Sequence, residues 1–319
     1  MEASVRNLDR WMDLLPSQIQ RRVPIIYLAI PGSHNSMSYA IGPTSTASSD
    51  GNVVVQVCNI IRSDYTYRWF KDQEDDVLGQ LKGGARYFDL RICRVKIPQN
   101  LCAFYFCHGF VSVAIQDPLL TIARYLQHHT RELVILDFQH FYDFVSDDHL
   151  ILQQYLDRIF GDLIIGPKDS KLSDLTLQRA YSLQKQVIVI YRHKCCCEHF
   201  WDGKFWPNPW ANTTGINKLQ NFLDQSTRDR PANCGYITQC ILTPSFEFVG
   251  ENLDKSMVEI AEYVYKSMKR WISHQSPGVA RRTSASPKIN IVIADFINLN
   301  KFKFCRHIIK LNERLIKSK

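Results

Sequence analysis

Seven short apolar runs recur along the chain, at Ile25 to Ile30, Ala85 to Leu90, Ala103 to Cys107, Leu133 to Phe138, Val187 to Tyr191, Tyr236 to Leu242 and Ile289 to Ala294. Most are rich in β-branched and aromatic residues, the pattern of strands buried on both faces. Helical periodicity fills the stretches between them. Asp117 before Pro118 offers an N-cap and a first-turn proline for a helix through His128, with Leu119, Ile122 and Leu126 on one face. Residues 150 to 160 and 304 to 315 read the same way. Strands alternating with helices predict a parallel α/β architecture. With no internal repeat or shift of composition, the reading is one domain over residues 1 to 319. Three irregular stretches, Pro43 to Gly51, Cys195 to Gly215 and His274 to Lys288, are expected to be loops.

Four of the apolar runs close on a polar signature: Ser33-His34-Asn35, Phe88-Asp89-Leu90-Arg91, Cys107-His108-Gly109 and Ala294-Asp295-Phe296. In a β/α barrel the C-terminal ends of parallel strands converge on one mouth, so His34, His108, Asp89, Asp295 and Arg91 are expected to meet there. That inventory suits acid–base phosphoryl transfer without a compulsory metal. One histidine removes a proton, the other donates one, and a guanidinium matches a phosphate with two parallel hydrogen bonds. Asp89 and Arg91 are two apart, so on a strand they point to one side. Free histidine titrates near neutrality, which makes both protonation states accessible. A buried Asp89–Arg91 ion pair and a core His108 are the ordinary alternatives for each residue taken singly. The set taken together points to chemistry.

Composition narrows the setting. Hydrophobic residues make up 45% of 319 and charged residues 22%, which excludes a mostly disordered chain. The charged start lacks the apolar segment of a secretory leader, and no run approaches the length of a membrane span, so a cytoplasmic protein is expected. Ten cysteines, several inside apolar runs, fit reduced thiols. The net charge of +8 favours anionic partners such as a phospholipid surface. Nucleic acid is excluded because the basic residues form no stripe with interleaved aromatics. Cys195, Cys196, Cys197 and His199 invite a zinc reading, but adjacent cysteines do not turn to one tetrahedral centre and no second Cys pair faces them. Palmitoylation of this cluster is a weaker alternative. Trp201, Phe205, Trp206 and Trp210 suit a lid or an interfacial patch. Arg281-Arg282-Thr283-Ser284 has the form of a basophilic kinase site, and Asn212-Thr213-Thr214 is a glycosylation acceptor without meaning inside a cell.

The segment Ile30-Pro31-Gly32-Ser33-His34-Asn35-Ser36 resembles the X domain of phosphatidylinositol-specific phospholipase C. Phe88 to Arg91, His108-Gly109 and Ile293 to Phe296 continue the match in order. Asp137-Phe138-Gln139-His140-Phe141 and Pro209-Trp210-Ala211-Asn212-Thr213-Thr214 resemble the small animal proteins that consist of an X domain alone. The resemblance runs from about Trp11 to Leu315. It implies a distorted, incompletely closed TIM-type barrel with its core over about residues 22 to 316. It also implies cleavage of phosphatidylinositol at a membrane surface to diacylglycerol and an inositol phosphate, through a cyclic intermediate. By resemblance His34 is the general base toward the inositol 2-hydroxyl, Asp295 orients it, Arg91 stabilises charge on the phosphoryl oxygens, and His108 protonates the departing oxygen. Asp89 stands beside Arg91, and Asn35, Gln139 and Arg192 are the candidate substrate contacts, with a rim pair between Arg192 and Glu198 as the plainer alternative.

One departure is Asn35, where many relatives carry an Asp that assists the acid. An amide does not stabilise a charged imidazole as a carboxylate does, so low activity is expected, and a catalytically weak phosphoinositide-binding protein becomes the rival reading. A metal-dependent glycerophosphodiesterase ranks last, because it wants a Glu-x-Asp pair where this chain has Asp89 and Arg91. Calcium-dependent animal relatives use the Asn after the first histidine, a Glu-x-Asp pair and a further Glu. Here Arg91 and Gln139 replace two of those carboxylates, so no metal, no cofactor and no calcium requirement are expected.

Overall fold

Nine strands form one sheet among the described residues, which in this computed structural model are 2–51, 65–97, 101–193, 197–252, 254–279 and 288–317. They are β1 (Ile30–Ser33), β2 (Tyr87–Ile97), β3 (Leu101–His108), β4 (Phe110–Ala114), β5 (Val134–Tyr142), β6 (Val187–Tyr191), β7 (Trp201–Asp202), β8 (Ile237–Gln239) and β9 (Ile291–Ala294). The main path runs β7-β6-β5-β2-β1-β9-β8, and every neighbour on it is parallel. The sheet curls, and among the described residues no ladder joins β7 to β8. The barrel is therefore of the TIM type but open between its ends.

Strand alternation sorts the buried side chains into two layers. Phe88, Leu136, Val189 and Val292 pack outward against the helices Gln116–His128, Met257–His274 and Leu299–Leu311. Tyr87, Ile135, Ile188 and Ile291 pack inward with Trp11, Met12, Leu15 and Ile19 of the N-terminal segment. The inward alternation continues from Tyr87 to Asp89 and Arg91, which carries both charges to the mouth. The β2–β5 ladder skips Gln139 between Leu90 and Arg91, a bulge at the rim of the kind that re-aims side chains.

Two apolar runs fold otherwise than their pattern predicts. Ile25–Tyr27 is a single 3₁₀ turn, and only Ile30 of that run enters a strand. Its buried backbone is satisfied by side-chain amides in place of a ladder: Asn290 donates to the carbonyls of Ile25 and Leu28, and Asn312 brackets Ala29 from both sides. The run at Ala103 to Cys107 is not a parallel barrel strand. It lies in β3, which pairs antiparallel with the far half of β2, so the two form a hairpin that overshoots the barrel and returns His108 to the mouth. The Gln116–His128 helix starts one residue before Asp117 and has no side-chain cap.

Among the expected loops, Pro43 to Gly51 is pinned beside His108, where Ala47 bridges Phe110 and Asp50 accepts from the Gly109 amide at 2.7 Å. In the aromatic stretch Trp201 and Trp206 are buried while Trp210 is half exposed. Cys197 is half-buried, whereas Cys195, Cys196 and the Arg281-Arg282-Thr283-Ser284 motif lie outside the described residues. Among the described residues no helix is long and apolar enough to cross a membrane.

Candidate functional site

β1 approaches β2 closely. At Gly32 a Cβ would stand 2.8 Å from the Tyr87 ring, which accounts for glycine in the first motif. The strand ends at Ser33, and His34 follows with its amide held by the Ala294 carbonyl at the end of β9. Asn35 then takes a left-handed conformation (φ 40°), which asparagine tolerates better than most residues. This turn aims the His34 ring into the barrel mouth.

The two imidazoles face each other across one cleft, their ring centroids 6.3 Å apart. His34 Nδ1 lies 2.7 Å from Asp295 Oδ1, so that nitrogen carries the proton and Nε2 is left as acceptor. Arg91 Nη2 donates to His34 Nε2 at 3.2 Å and reaches Asp89 at 3.4 Å. Asp89 also accepts from the Asn35 backbone N–H at 3.1 Å. His108 Nδ1 points at the Phe70 carbonyl (2.9 Å) and at Asp72 Oδ2 (3.0 Å), two acceptors that fix the proton on that nitrogen and turn Nε2 to the cleft.

The protonation landscape follows from burial opposed by charge. Burial works against a charge on His34, but Asp295, Asp72 and Asp89 outweigh it and raise its pKa above the ordinary value. Asp295 is pushed up to about 6 by burial and by neighbouring Asp72, against the pull of His34. Burial also works against charge on Asp72 and Asp89. Asp72 is nevertheless held below the usual carboxylate range by His108, His34 and the Asn35 amide, and Asp89 by Arg91 and His34.

His34, Asp89, Arg91, His108 and Asp295 therefore meet as the motifs predict. Gln139 lines the same cleft, although its amide is engaged with Tyr87 and Asp137 at 3.0 and 2.9 Å. Arg192 does not line it. Two guanidinium nitrogens each donate to Asp137 at 2.8 Å and one to the Trp206 carbonyl at 2.7 Å, while Glu198 pairs with Lys168 instead. Burial lifts the Asp137 pKa despite that arginine.

The residue that motif reading misses is Asp72. It closes no apolar run and sits in the loop before the Val77–Lys82 helix, inside the polar stretch Lys71 to Asp76. The loop is stitched into the mouth: the Asp72 amide donates to Ser38, its carbonyl accepts from Phe296, and Gln73 donates to the carbonyls of His34 and Ala294. Asn35 Nδ2 donates to Asp72 Oδ2 at 2.6 Å. The expectation that His108 lacks a carboxylate is thus corrected, since Asp72 supplies one and Asn35 orients it. The available signal was chemical, because an acid histidine without its usual partner asks for a carboxylate from elsewhere.

An open α/β barrel with this mouth has the fold of the phosphatidylinositol-specific phospholipases C. The S. aureus enzyme superposes with a TM-score of 0.66 at 13% identity, covering 97% of this chain and 98% of that one. The Listeria monocytogenes enzyme does so with a TM-score of 0.62 at 17% identity, covering 96% and 99%. Sequence relatives narrow the assignment. PI-PLC X domain-containing protein 3 of Bos taurus is 35% identical over 95% of this chain and 92% of its own length, and that of Danio rerio 34% over 92% and 90%. PI-PLC X domain-containing protein 2 of Mus musculus is 31% identical over 98% and 90%. This chain belongs to the PI-PLC X domain-containing protein family. No protein-family model matches it.

Proposed function

We propose that this chain is a phosphoric diester hydrolase of the phospholipase C type, cleaving phosphatidylinositol at a membrane surface to diacylglycerol and a cyclic inositol phosphate. One observation carries the reading: two imidazoles turn Nε2 toward one cleft, each with Nδ1 held by its own carboxylate, and Arg91 stands beside the first. His34 Nε2 takes the proton of the inositol 2-hydroxyl. The freed oxygen attacks phosphorus, the bond to the diacylglycerol oxygen breaks, and protonated His108 gives its Nε2 proton to that oxygen. Arg91 donates to the phosphoryl oxygens as charge grows on them. Water then opens the cyclic ester with the two histidines in exchanged roles.

No metal enters this scheme. His34, Asp72 and Asp295 offer ligand atoms within 4.8 Å of one another, but both carboxylates hold imidazole N–H groups, and Arg91 stands beside the third ligand, His34. The rival reading, a pocket that binds phosphoinositide without turnover, rests on Asn35; the Asp72 carboxylate on His108 supports turnover.

Purified protein incubated with labelled phosphatidylinositol in vesicles should release cyclic inositol phosphate. His34→Ala and His108→Ala should each lower the rate by about 10²- to 10⁴-fold. The double variant should be no worse than the slower single one, because the two act in one proton relay. Headgroup binding without any cyclic product would instead support the rival.

A further inference from the structure

The catalytic groups form only part of the lining of their cleft. The cavity has a volume of about 710 Å³, the size that holds a drug-sized ligand, and its lining is of two kinds. His34, Asp89, Arg91 and His108 belong to the polar part. Trp69, Ile241, Leu242 and Met257, all buried, form an apolar wall. Apart from Trp69 this wall comes from the chain beyond β8, which runs into the helix Phe246–Glu251, and Phe248 of that helix packs edge-on against Trp69. Phe246 and Trp210 stand at the rim, each more than half exposed.

An inositol ring presents hydroxyl groups all round and would leave them unpaired against such a wall. His108 turns Nε2 into this same cleft, so the oxygen it protonates leaves into the cavity that the apolar wall bounds. In the phospholipase C reading that oxygen belongs to glycerol.

We propose that the apolar wall is a subsite for the glycerol-linked acyl chain, so that the protein cleaves single-chain phosphatidylinositol dispersed as a monomer as well as lipid in a membrane. The proposal rests on the phospholipase C reading. Each methylene buried is worth roughly fourfold in affinity, so a few of them against Trp69, Leu242 and Met257 would hold a monomer in the cleft without a bilayer.

The test compares lysophosphatidylinositol below its micelle concentration with glycerophosphoinositol, the same diester without a chain, and with phosphatidylinositol vesicles. The expected kcat/KM for the single-chain monomer exceeds that for glycerophosphoinositol by about tenfold or more, rising with chain length and then levelling where the wall ends. Leu242→Asn in the wall and Val249→Asp on the rim helix should each lower that ratio severalfold, and the second is partly exposed and so spares the fold. A wild-type ratio near one, with vesicles still cleaved, would overturn the subsite while leaving the phospholipase reading standing. So would a ratio unmoved in folded variants. Failure on all three substrates would overturn the phospholipase reading itself, and the subsite with it.

Discussion

An imidazole that must donate a proton gains from a carboxylate on its far nitrogen. His108 receives one from Asp72 at 3.0 Å, while the Asn35 amide grips the same carboxylate oxygen at 2.6 Å. An aspartate at position 35 would set a second negative charge against Asp72 in a buried place, which is costly at that range. Asn35→Asp alone is therefore expected to lower kcat/KM, and Asp72→Asn to lower it by about 10²-fold. Asn35→Asp combined with Asp72→Asn exchanges amide and carboxylate and should recover much of the loss. A double variant no faster than Asp72→Asn would sink this account of the pair. The base carries a pH signature. His34 must be neutral to accept a proton, and its carboxylate neighbours raise its pKa, so kcat/KM should climb with pH through a limb lying above the ordinary histidine value. Asp295→Asn removes the strongest of those charges, makes the imidazolium easier to deprotonate, and should move the limb to lower pH. A pH–rate profile whose limb stays in place would show that Asp295 does not act on His34.

Beneath the mouth, the N-terminal segment is clamped to the closed end of the barrel by one buried ion pair. Arg86 donates to Glu132 at 2.8 Å and also to the carbonyls of Leu81 and Asp9, while Glu132 accepts from the Met12 and Asp13 amides. Glu132→Gln leaves the guanidinium buried without a counter-charge and is expected to cost about 3–5 kcal/mol. Urea unfolding would measure it, and a loss under 1 kcal/mol would mean that the carbonyls alone hold the arginine. How far such elements are legible in the sequence depends on what the local pattern encodes. Val187–Tyr191 is five consecutive buried apolar residues and forms β6 as its pattern predicts. Ala103 to Cys107 is legible as a strand but not as an antiparallel one, because apolar alternation carries no direction. Ile25 to Ile30 reads as a strand because it is buried, yet two distant asparagines satisfy its backbone. Four of the site's charged side chains sit at the ends of apolar runs and were legible for that reason: His34, Arg91, His108 and Asp295. Asp72 was not, since only tertiary folding brings its loop over the mouth.

At the scale of the whole barrel, Asp72, Asp89, Asp295, His34, His108 and Arg91 gather at the mouth, and each has a partner among its neighbours there. Asp295 serves His34, Asp72 serves His108, and Asp89 lies between Arg91 and the Asn35 backbone N–H. A calcium ion wants several oxygen ligands and binds tightly only when enough of them are charged. Of the positions that the resemblance assigns to such a site, the Asn35 side chain is turned to Asp72, Asp89 faces the Arg91 guanidinium, and Gln139 brings no charge. Close approach of a doubly charged ion to Arg91 would be repulsive. In the proposed reaction the guanidinium supplies the positive charge that a phosphoryl transition state requires. Cleavage of phosphatidylinositol is therefore expected to persist when a strong calcium chelator is added. Arg91→Lys should lower kcat/KM sharply, because a point charge does not reproduce two parallel N–H donors. A rate that collapses with chelator and returns with added calcium would show that an ion shares the mouth with Arg91, and the division of labour among its three carboxylates would have to be drawn again.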